Sequence, residues 1–164
     1  MGHSIALYAV QFAHALGASR VDFLDADPVR LELARSFGAN PLEGPASGSA
    51  IGEYQITVDA SADPAGLASA LRSVAPGGVC TSVGIYYMET TPVPLLEMFA
   101  RGVRFYTGRV NARRDIPPIL DLVQAGRIHP EQITSEIVEW DDAAKALANP
   151  SMKPVIVREP ELQQ

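Results

Sequence analysis

Residues 4–30 read SIALYAVQFAHALGASRVDFLDADPVR and carry the most information about the fold. Apolar residues recur at helical spacing from Ile5 to Leu16, with small alanines between them. Gly17 follows the last apolar residue and is typical of the end of a helix. The pattern therefore predicts a helix over residues 4–16, whose small residues allow it to lie close to a sheet.

A strand and a second helix are predicted directly after this first helix. The apolar run Val21–Leu24 predicts the strand, which ends in Asp25. Asp27 is placed to cap the second helix, Pro28 suits its first position, and Gly38 lies beyond its end. A helix, a strand and a helix in close succession are typical of an α/β protein.

The rest of the chain repeats this alternation. Residues 40–52 are rich in Gly, Ser and Pro and predict a short strand and a loose loop. Further strands are predicted over residues 56–59, 79–83, 103–107 and 155–157. Further helices are predicted from residue 63 to a turn at 75–78, and over residues 94–101, 116–125 and 141–148. Asp115 is predicted to cap the helix over 116–125, with Pro117 and Pro118 tolerated in its first turn. The alternation predicts crossover connections and a mainly parallel sheet.

Composition limits the classes of function. The 164 residues fit one domain, or one domain and a fragment of another, and 47% hydrophobic residues allow a buried core. The net charge of −6 and the lack of a basic tract argue against nucleic acid as a partner. No apolar stretch is long enough to cross a bilayer, and the first residues do not resemble a signal peptide, so no membrane partner is expected. The single cysteine, Cys80, excludes an internal disulfide, and we expect a cytoplasmic location.

Several segments, in order, resemble the cofactor-binding domain of medium-chain zinc alcohol dehydrogenases. These segments are residues 6–18, 21–25, 27–34, 58–61, 75–78, 83–84 and 122–128. The resemblance implies an α/β fold with a Rossmann-like, doubly wound, mainly parallel sheet. It also implies a truncated NAD-binding domain over residues 1–108 and a C-terminal segment over 109–164 that returns towards the catalytic domain.

The resemblance further implies that the family's catalytic domain and its first Rossmann strand lie outside this chain. That strand is central in the fold, so without it the sheet would expose unpaired backbone groups, each costing about 1–3 kcal/mol when buried. Three arrangements are open: the chain is a truncated product, it borrows a strand from a partner or a second copy, or two other strands meet. We favour truncation. The resemblance also allows a homo-oligomer, paired through the edge strand near residues 103–107.

The glycine loop that the family places ahead of the first helix departs from its usual pattern here. The three glycine positions of G-x-G-x-x-G fall on residues 1, 3 and 6, none of which is glycine. The amides and the dipole at the start of the helix still favour an anion. The candidate contacts of the cofactor's diphosphate are Gly2, His3, Ser4 and Ile5. Ser4 either adds a hydroxyl donor or serves only as the helix N-cap.

Asp25 is the candidate for ribose recognition. It ends the first predicted strand, about 20 residues beyond the glycine loop, where a carboxylate grips the two ribose hydroxyls of NAD. Ala26 follows it in place of an arginine that would accept a 2′-phosphate, so NAD is preferred to NADP. The resemblance assigns Arg30 to the adenosine ribose, and the alternative is a solvated cation on the second helix.

Other cofactor contacts are carried over from the resemblance by position. It places Ser61 and Ala62 on the adenosine side, and Val83, Gly84 and Ile85 beside the nicotinamide ring. It assigns Gly108 and Val110 to the carboxamide and Lys153 to the diphosphate. Each of these residues could instead be an ordinary strand-end or solvated residue, because most of the contacts use the backbone.

Neither a metal site nor a catalytic residue is predicted in this chain. Catalytic zinc needs three protein ligands, which the family takes from the region ahead of its cofactor domain. Cys80 lies in a predicted strand, and His3, His14 and His129 are scattered along the sequence. Zinc is therefore expected only in a full-length enzyme of the family.

Three functions remain open at this point. The leading one is the NAD-binding portion of a zinc-type alcohol dehydrogenase, whose full enzyme passes a hydride between an alcohol and NAD and needs a catalytic domain as partner. The second is a nucleotide-binding module or assembly partner without chemistry of its own. The third is the zinc-free quinone or enoyl reductase branch, which uses NADPH, and Asp25 followed by Ala26 argues against it.

Overall fold

The computed structural model of this protein describes residues 3–158, and the side chain of His3 lies outside that description. In chain order the elements are α1 (His3–Ala15), β1 (Asp22–Asp25), α2 (Pro28–Ser36), β2 (Asn40–Glu43), β3 (Tyr54–Asp59), α3 (Pro64–Arg72), β4 (Val74–Ser82), α4 (Leu95–Arg101), β5 (Arg104–Thr107), α5 (Ala112–Gln124), β6 (Glu136–Glu139), α6 (Ala143–Ala148) and β7 (Pro154–Val157). Single 3-10 turns lie at Pro130–Ile133 and Trp140–Asp142. The predicted alternation of helices and strands is confirmed.

All the strand pairs in the described residues are parallel. β1 pairs with β2, β4 lies between β3 and β5, and β6 pairs with β7. In the first two groups a helix connects successive parallel strands, α2 between β1 and β2 and α3 between β3 and β4, as in a Rossmann-like fold. The α/β, Rossmann-like prediction is therefore confirmed.

A gap separates β1 from β3. Within residues 3–158 no strand ladder joins the two, so the arrangement in which two other strands meet is not found. The Tyr54 hydroxyl donates to Asp22 Oδ2 at 2.5 Å, which ties the amino end of β3 to the amino end of β1. This hydrogen bond joins the two sheets, although no ladder pairs β1 with β3 within the described residues.

Two clusters of buried side chains support the two sheets. The first joins Leu7 and Val10 of α1 to Phe23 of β1 and to Leu31 of α2. The second contains Leu67, Leu71, Val74, Cys80 and Met98, between α3, β4 and α4. Cys80 is fully buried, which agrees with its prediction as a small apolar residue. Each parallel sheet is therefore covered by its own crossover helices.

Helix starts that depend on local hydrogen bonds are confirmed. Asp27 caps α2 by accepting from the amides of Val29 and Arg30, and Asp63 caps α3 by accepting from the amide of Ala65. The predicted cap of α5 is wrong. The helix begins at Ala112, so Asp115 lies in its first turn and the two prolines lie inside the helix.

The predicted turn at residues 75–78 is also wrong. These residues belong to β4, which begins at Val74, and the register slips there: Tyr54 pairs with Val74, but Ile56 pairs with Val79. Gly77 takes a φ of +71°, which suits glycine. The Gly-rich sequence thus makes a bulge inside a strand, not a turn between elements.

The C-terminal segment contacts α1. Gln11 exchanges two hydrogen bonds with the backbone of His129, at 3.1 and 2.7 Å, and Arg127 donates to the carbonyl of Ala15. Ile133 is fully buried in the first cluster, and Met152 packs against it. The proposed division at residue 108 stays a prediction.

In residues 3–158 no helix has the length and apolar character needed to cross a membrane.

Candidate cofactor site

The carboxyl ends of β3, β4 and β5 lie in one row. Asp59 pairs with Ser82, and Ser82 pairs with Thr107 across the central strand. The segments that follow these three residues therefore leave the sheet at the same edge. They carry most of the predicted contacts on the adenosine and nicotinamide sides: Ser61, Ala62, Val83, Gly84, Ile85, Gly108 and Val110.

The first two of these segments touch each other. A Cβ at Gly84 would lie 3.0 Å from the amide nitrogen of Ala62, so only glycine allows this approach without a shift. Ala62 has a φ of +53°, which is uncommon for a residue with a side chain. Strained backbone of this kind persists only where surrounding contacts hold it.

Asp59 supplies contacts that hold this strained backbone. Its side chain is 3% exposed and accepts from the Ser61 amide and hydroxyl, at 3.0 and 2.6 Å. The Ser82 hydroxyl donates to it at 2.6 Å and the Tyr86 hydroxyl at 2.7 Å. Burial and the bond to Asp59 raise the pKa of Tyr86 to about 12, so this hydroxyl keeps its proton at neutral pH. Neither Asp59 nor Tyr86 was predicted from the sequence, because their contact joins residues 27 positions apart.

Asp25 lies on the other side of the gap, at the carboxyl end of β1. Its carboxylate accepts from Arg30 Nε at 2.8 Å, from Arg30 Nη2 at 2.6 Å and from the Asp27 amide at 2.9 Å. Arg30 also donates to Asp27 Oδ2 at 2.9 Å, and its side chain is only 17% exposed. The alternative prediction of Arg30 as a solvated cation is therefore wrong.

The Asp25 carboxylate is stabilised in its ionised form. Burial alone would raise the pKa of Asp25. The hydrogen bonds from Arg30 and from the amides of Asp27 and Ala26, together with the Arg30 charge, outweigh that effect and hold the pKa below its ordinary value. A carboxylate has about four lone-pair sites, and Arg30 and two backbone amides already donate to those of Asp25. A ribose hydroxyl would therefore share this carboxylate with its present donors.

The start of α1 faces the same edge as Asp25. The helix leads into β1 through a short connection and shares a buried cluster with it, so the two run in opposite directions. Ser4 is buried and lies inside the first turn, because α1 already begins at His3. The alternative prediction of Ser4 as the N-cap is therefore wrong. Ile5 follows and is exposed. Gly2 and the side chain of His3 lie outside the described residues.

The remaining predicted contacts are spread more widely. Ile85, in the segment after β4, and Val110, in the segment after β5, are largely exposed. Gly108 takes a φ of +150°. Lys153 lies just ahead of β7, where its amide donates to Ser135 Oγ at 2.8 Å. Its neighbour Met152 packs against the cluster that contains α1.

Metal ligands are not grouped in the described part of the chain. Among residues 3–158 no three His, Cys, Asp or Glu side chains come together in a way that could hold an ion. Cys80 is buried in the second cluster, and burial raises the pKa of its thiol. The described residues therefore do not provide the three ligands that a catalytic zinc needs.

A family description of zinc-binding dehydrogenases matches residues 4–125. This chain belongs to the zinc-binding dehydrogenase family. A Mycobacterium tuberculosis relative, named as a zinc-binding alcohol dehydrogenase, is 29% identical over 150 residues, covering 88% of this chain and 39% of the relative. An alcohol dehydrogenase of Geobacillus stearothermophilus is 30% identical over 127 residues, covering 73% of this chain and 37% of the relative.

Solved structures of dehydrogenases share the fold. The alcohol dehydrogenase of Thermus sp. ATN1 superposes with a TM-score of 0.82 at 29% identity, covering 93% of this chain and 48% of that one. A zinc-binding dehydrogenase of Sinorhizobium meliloti, bound to NADP, gives a TM-score of 0.81 at 20% identity, covering 97% and 50%. This dehydrogenase chain therefore spans about half the length of the solved structures, and less than half of the curated relatives.

Proposed function

We propose that this dehydrogenase chain binds NAD and forms the cofactor-binding portion of an alcohol dehydrogenase. The observation that carries the proposal is the position of Asp25 at the carboxyl end of β1, whose sheet is not paired with β3 within residues 3–158. In open α/β sheets, ligands bind in the crevice outside the carboxyl ends of the strands. The loops after β3 and β4 likewise follow the carboxyl ends of their strands.

The preference for NAD over NADP rests on Asp25 and Arg30. A 2′-phosphate brought beside the Asp25 carboxylate would meet a like charge, whereas a 2′-hydroxyl could donate to it. Arg30 is a candidate partner for a phosphate, but three of its five N–H donors and its charge already serve Asp25 and Asp27. Solved relatives of the same fold include one bound to NADP and an Escherichia coli alcohol dehydrogenase complexed with NADH, at 20% and 19% identity. The preference is therefore argued from this chain alone.

The chemistry of the whole enzyme is part of the proposal. NAD bound to this chain would supply the carbon that accepts a hydride from an alcohol. The residues of this chain would hold the ribose, exclude water from the ring and fix its orientation. The substrate, a catalytic domain or a second copy as protein partner, and the cytoplasmic location remain predictions from the sequence.

Cofactor titration tests the proposal. The wild-type chain is titrated with NADH and with NADPH by following nicotinamide fluorescence, beside an Asp25→Ala variant. A matched control is Glu43→Gln, because Glu43 pairs in register with Asp25 on the neighbouring strand and is exposed. Circular dichroism confirms that each variant is folded.

We expect the wild type and Glu43→Gln to bind NADH with similar affinity and Asp25→Ala to bind it at least about tenfold more weakly. We also expect NADPH to bind the wild type more weakly than NADH. A stronger affinity for NADPH would favour the reductase branch of the family. A folded wild type that binds neither nucleotide would refute cofactor binding.

A further inference from the structure

Two loops at the candidate cofactor site are fastened to one carboxyl group. Ser61, in the loop after β3, donates its hydroxyl to Asp59 Oδ1 at 2.6 Å. Tyr86, in the segment after β4, donates its hydroxyl to Asp59 Oδ2 at 2.7 Å. Each oxygen of Asp59 therefore holds a different loop, and the two partners come from sequence positions 25 residues apart.

The segment over residues 83–86 is attached at both ends. The Val83 amide donates to the Asp59 carbonyl at 2.8 Å, and Tyr86 reaches back to the Asp59 side chain. Between these two attachments, Gly84 lies against the backbone of Ala62. The segment thus forms a short arch over the end of β3, and within the described residues Tyr86 alone supplies its side-chain hydrogen bonds.

The ring of Tyr86 is fixed as well as its hydroxyl. It packs against the second buried cluster, and its hydroxyl also lies 3.3 Å from the carbonyl of Asp63. The next residue, Tyr87, is 89% exposed. Two adjacent tyrosines thus differ sharply: one is bonded under the arch and the other projects into solvent.

We propose that Tyr86 is a positioning residue, which holds the arch of residues 83–86 through Asp59 in the shape that the nicotinamide half of the cofactor needs. The proposal rests on the proposed function, because it assigns Val83–Ile85 to the nicotinamide side. Tyr86 itself need not touch the cofactor. Removal of its hydroxyl frees one end of the arch and leaves Ser61 on Asp59, so the adenosine side keeps its shape.

A Tyr86→Phe variant isolates this effect, since it removes one oxygen atom and keeps the packed ring. Tyr87→Phe is the matched control. Calorimetric titration measures the affinity of each protein for NADH and for AMP, which contains only the adenosine half. Hydrogen exchange of the nucleotide-free proteins measures the mobility of amides 83–86 against those of β3 and β4.

We expect Tyr86→Phe to bind NADH about tenfold more weakly and AMP with unchanged affinity. We expect amides 83–86 to exchange about tenfold faster in Tyr86→Phe, with the strand amides unchanged. Tyr87→Phe should match the wild type in every measurement. Any one of three results for Tyr86→Phe would overturn the positioning role: unchanged NADH affinity, equal losses of affinity for NADH and AMP, or unchanged exchange at residues 83–86. The proposed function would still stand if the wild type binds NADH. A wild type that binds neither nucleotide would overturn both.

Discussion

At the residue scale, Asp25 joins the stability of the fold to the candidate site. The carboxylate that is proposed to hold the ribose also anchors Arg30 and the Asp27 amide, and the side chains of Asp25 and Arg30 are both less than a fifth exposed. Pairs that are largely removed from water are costly to break, because one charge remains without its partner. The proposed ribose contact and local stability therefore depend on the same side chain.

This coupling predicts a pH-dependent stability difference. The pKa of Asp25 is lower in the folded chain than in the unfolded one, so its ionised form stabilises the fold above about pH 4 and this contribution declines as the pH falls further. Asp25→Asn should lower the free energy of unfolding by about 2 kcal/mol at neutral pH. Urea unfolding should show that the difference from wild type shrinks below about pH 4. An equal difference at both pH values would contradict the prediction, and Glu43→Gln serves as control.

Tyr54 predicts the opposite pH dependence. Burial and the hydrogen bond to Asp22 raise its pKa to about 12, above the unfolded value of about 10. Its stabilising contribution is therefore complete below about pH 10 and is lost as the pH rises towards 12. Tyr54→Phe should reduce the free energy of unfolding by about 1–2 kcal/mol near pH 8, with a smaller difference from wild type near pH 12. Tyr87→Phe, at an exposed tyrosine, should show no such change in urea unfolding.

At the element scale, the sequence predicted best what a few neighbouring residues decide. Asp27 and Asp63 cap helices through amides two or three residues away, so their roles were visible in the sequence. β6 was missed because its four residues become a strand only by pairing with β7, far along the chain. The bulge in β4 likewise depends on the register with β3. The hydrogen bond between Tyr86 and Asp59 was missed for the same reason, because it joins residues 27 positions apart and no local sequence pattern indicates it.

The packing of α3 against the loop after β3 predicts an unusual effect at Gly66. Alanine in place of glycine inside a helix usually stabilises by about 1 kcal/mol. Here a Cβ at Gly66 would overlap Ser61 Oγ, which is bonded to Asp59. Gly66→Ala should therefore lower the free energy of unfolding by about 2 kcal/mol. In a double-mutant cycle measured by urea unfolding, Ser61→Gly should remove most of this loss, and simple additivity would contradict the explanation.

At the scale of the whole molecule, the architecture is predictable and the fine geometry of the site is not. Alternating helices and strands, read from apolar spacing, gave the parallel α/β fold and the position of Asp25 at a strand end. They could not show that Arg30 is tied to Asp25 and Asp27, because side-chain pairing depends on rotamers in the folded state. The gap between β1 and β3 was also predicted, and the structure shows that no described strand closes it.

The open edge of β3 predicts self-association of this chain. Ile56 and Val58 lie on that strand and are 70% and 44% exposed, and one edge of the strand has no partner among residues 3–158. An unpaired edge with apolar side chains invites pairing with another chain. A lysine at such an edge discourages pairing, so Ile56→Lys should lower self-association with less than about 1 kcal/mol change in stability.

Val29→Lys is the matched control for this substitution, because Val29 is 71% exposed but lies on helix α2, where no strand edge is available. Sedimentation velocity over a range of concentrations should show fewer oligomers for Ile56→Lys than for the wild type, and no such change for Val29→Lys. Equal reductions in both variants would mean that net charge, not the edge of β3, controls association. In that case some other part of the protein would have to shield the edge of β3 from a second copy of the chain.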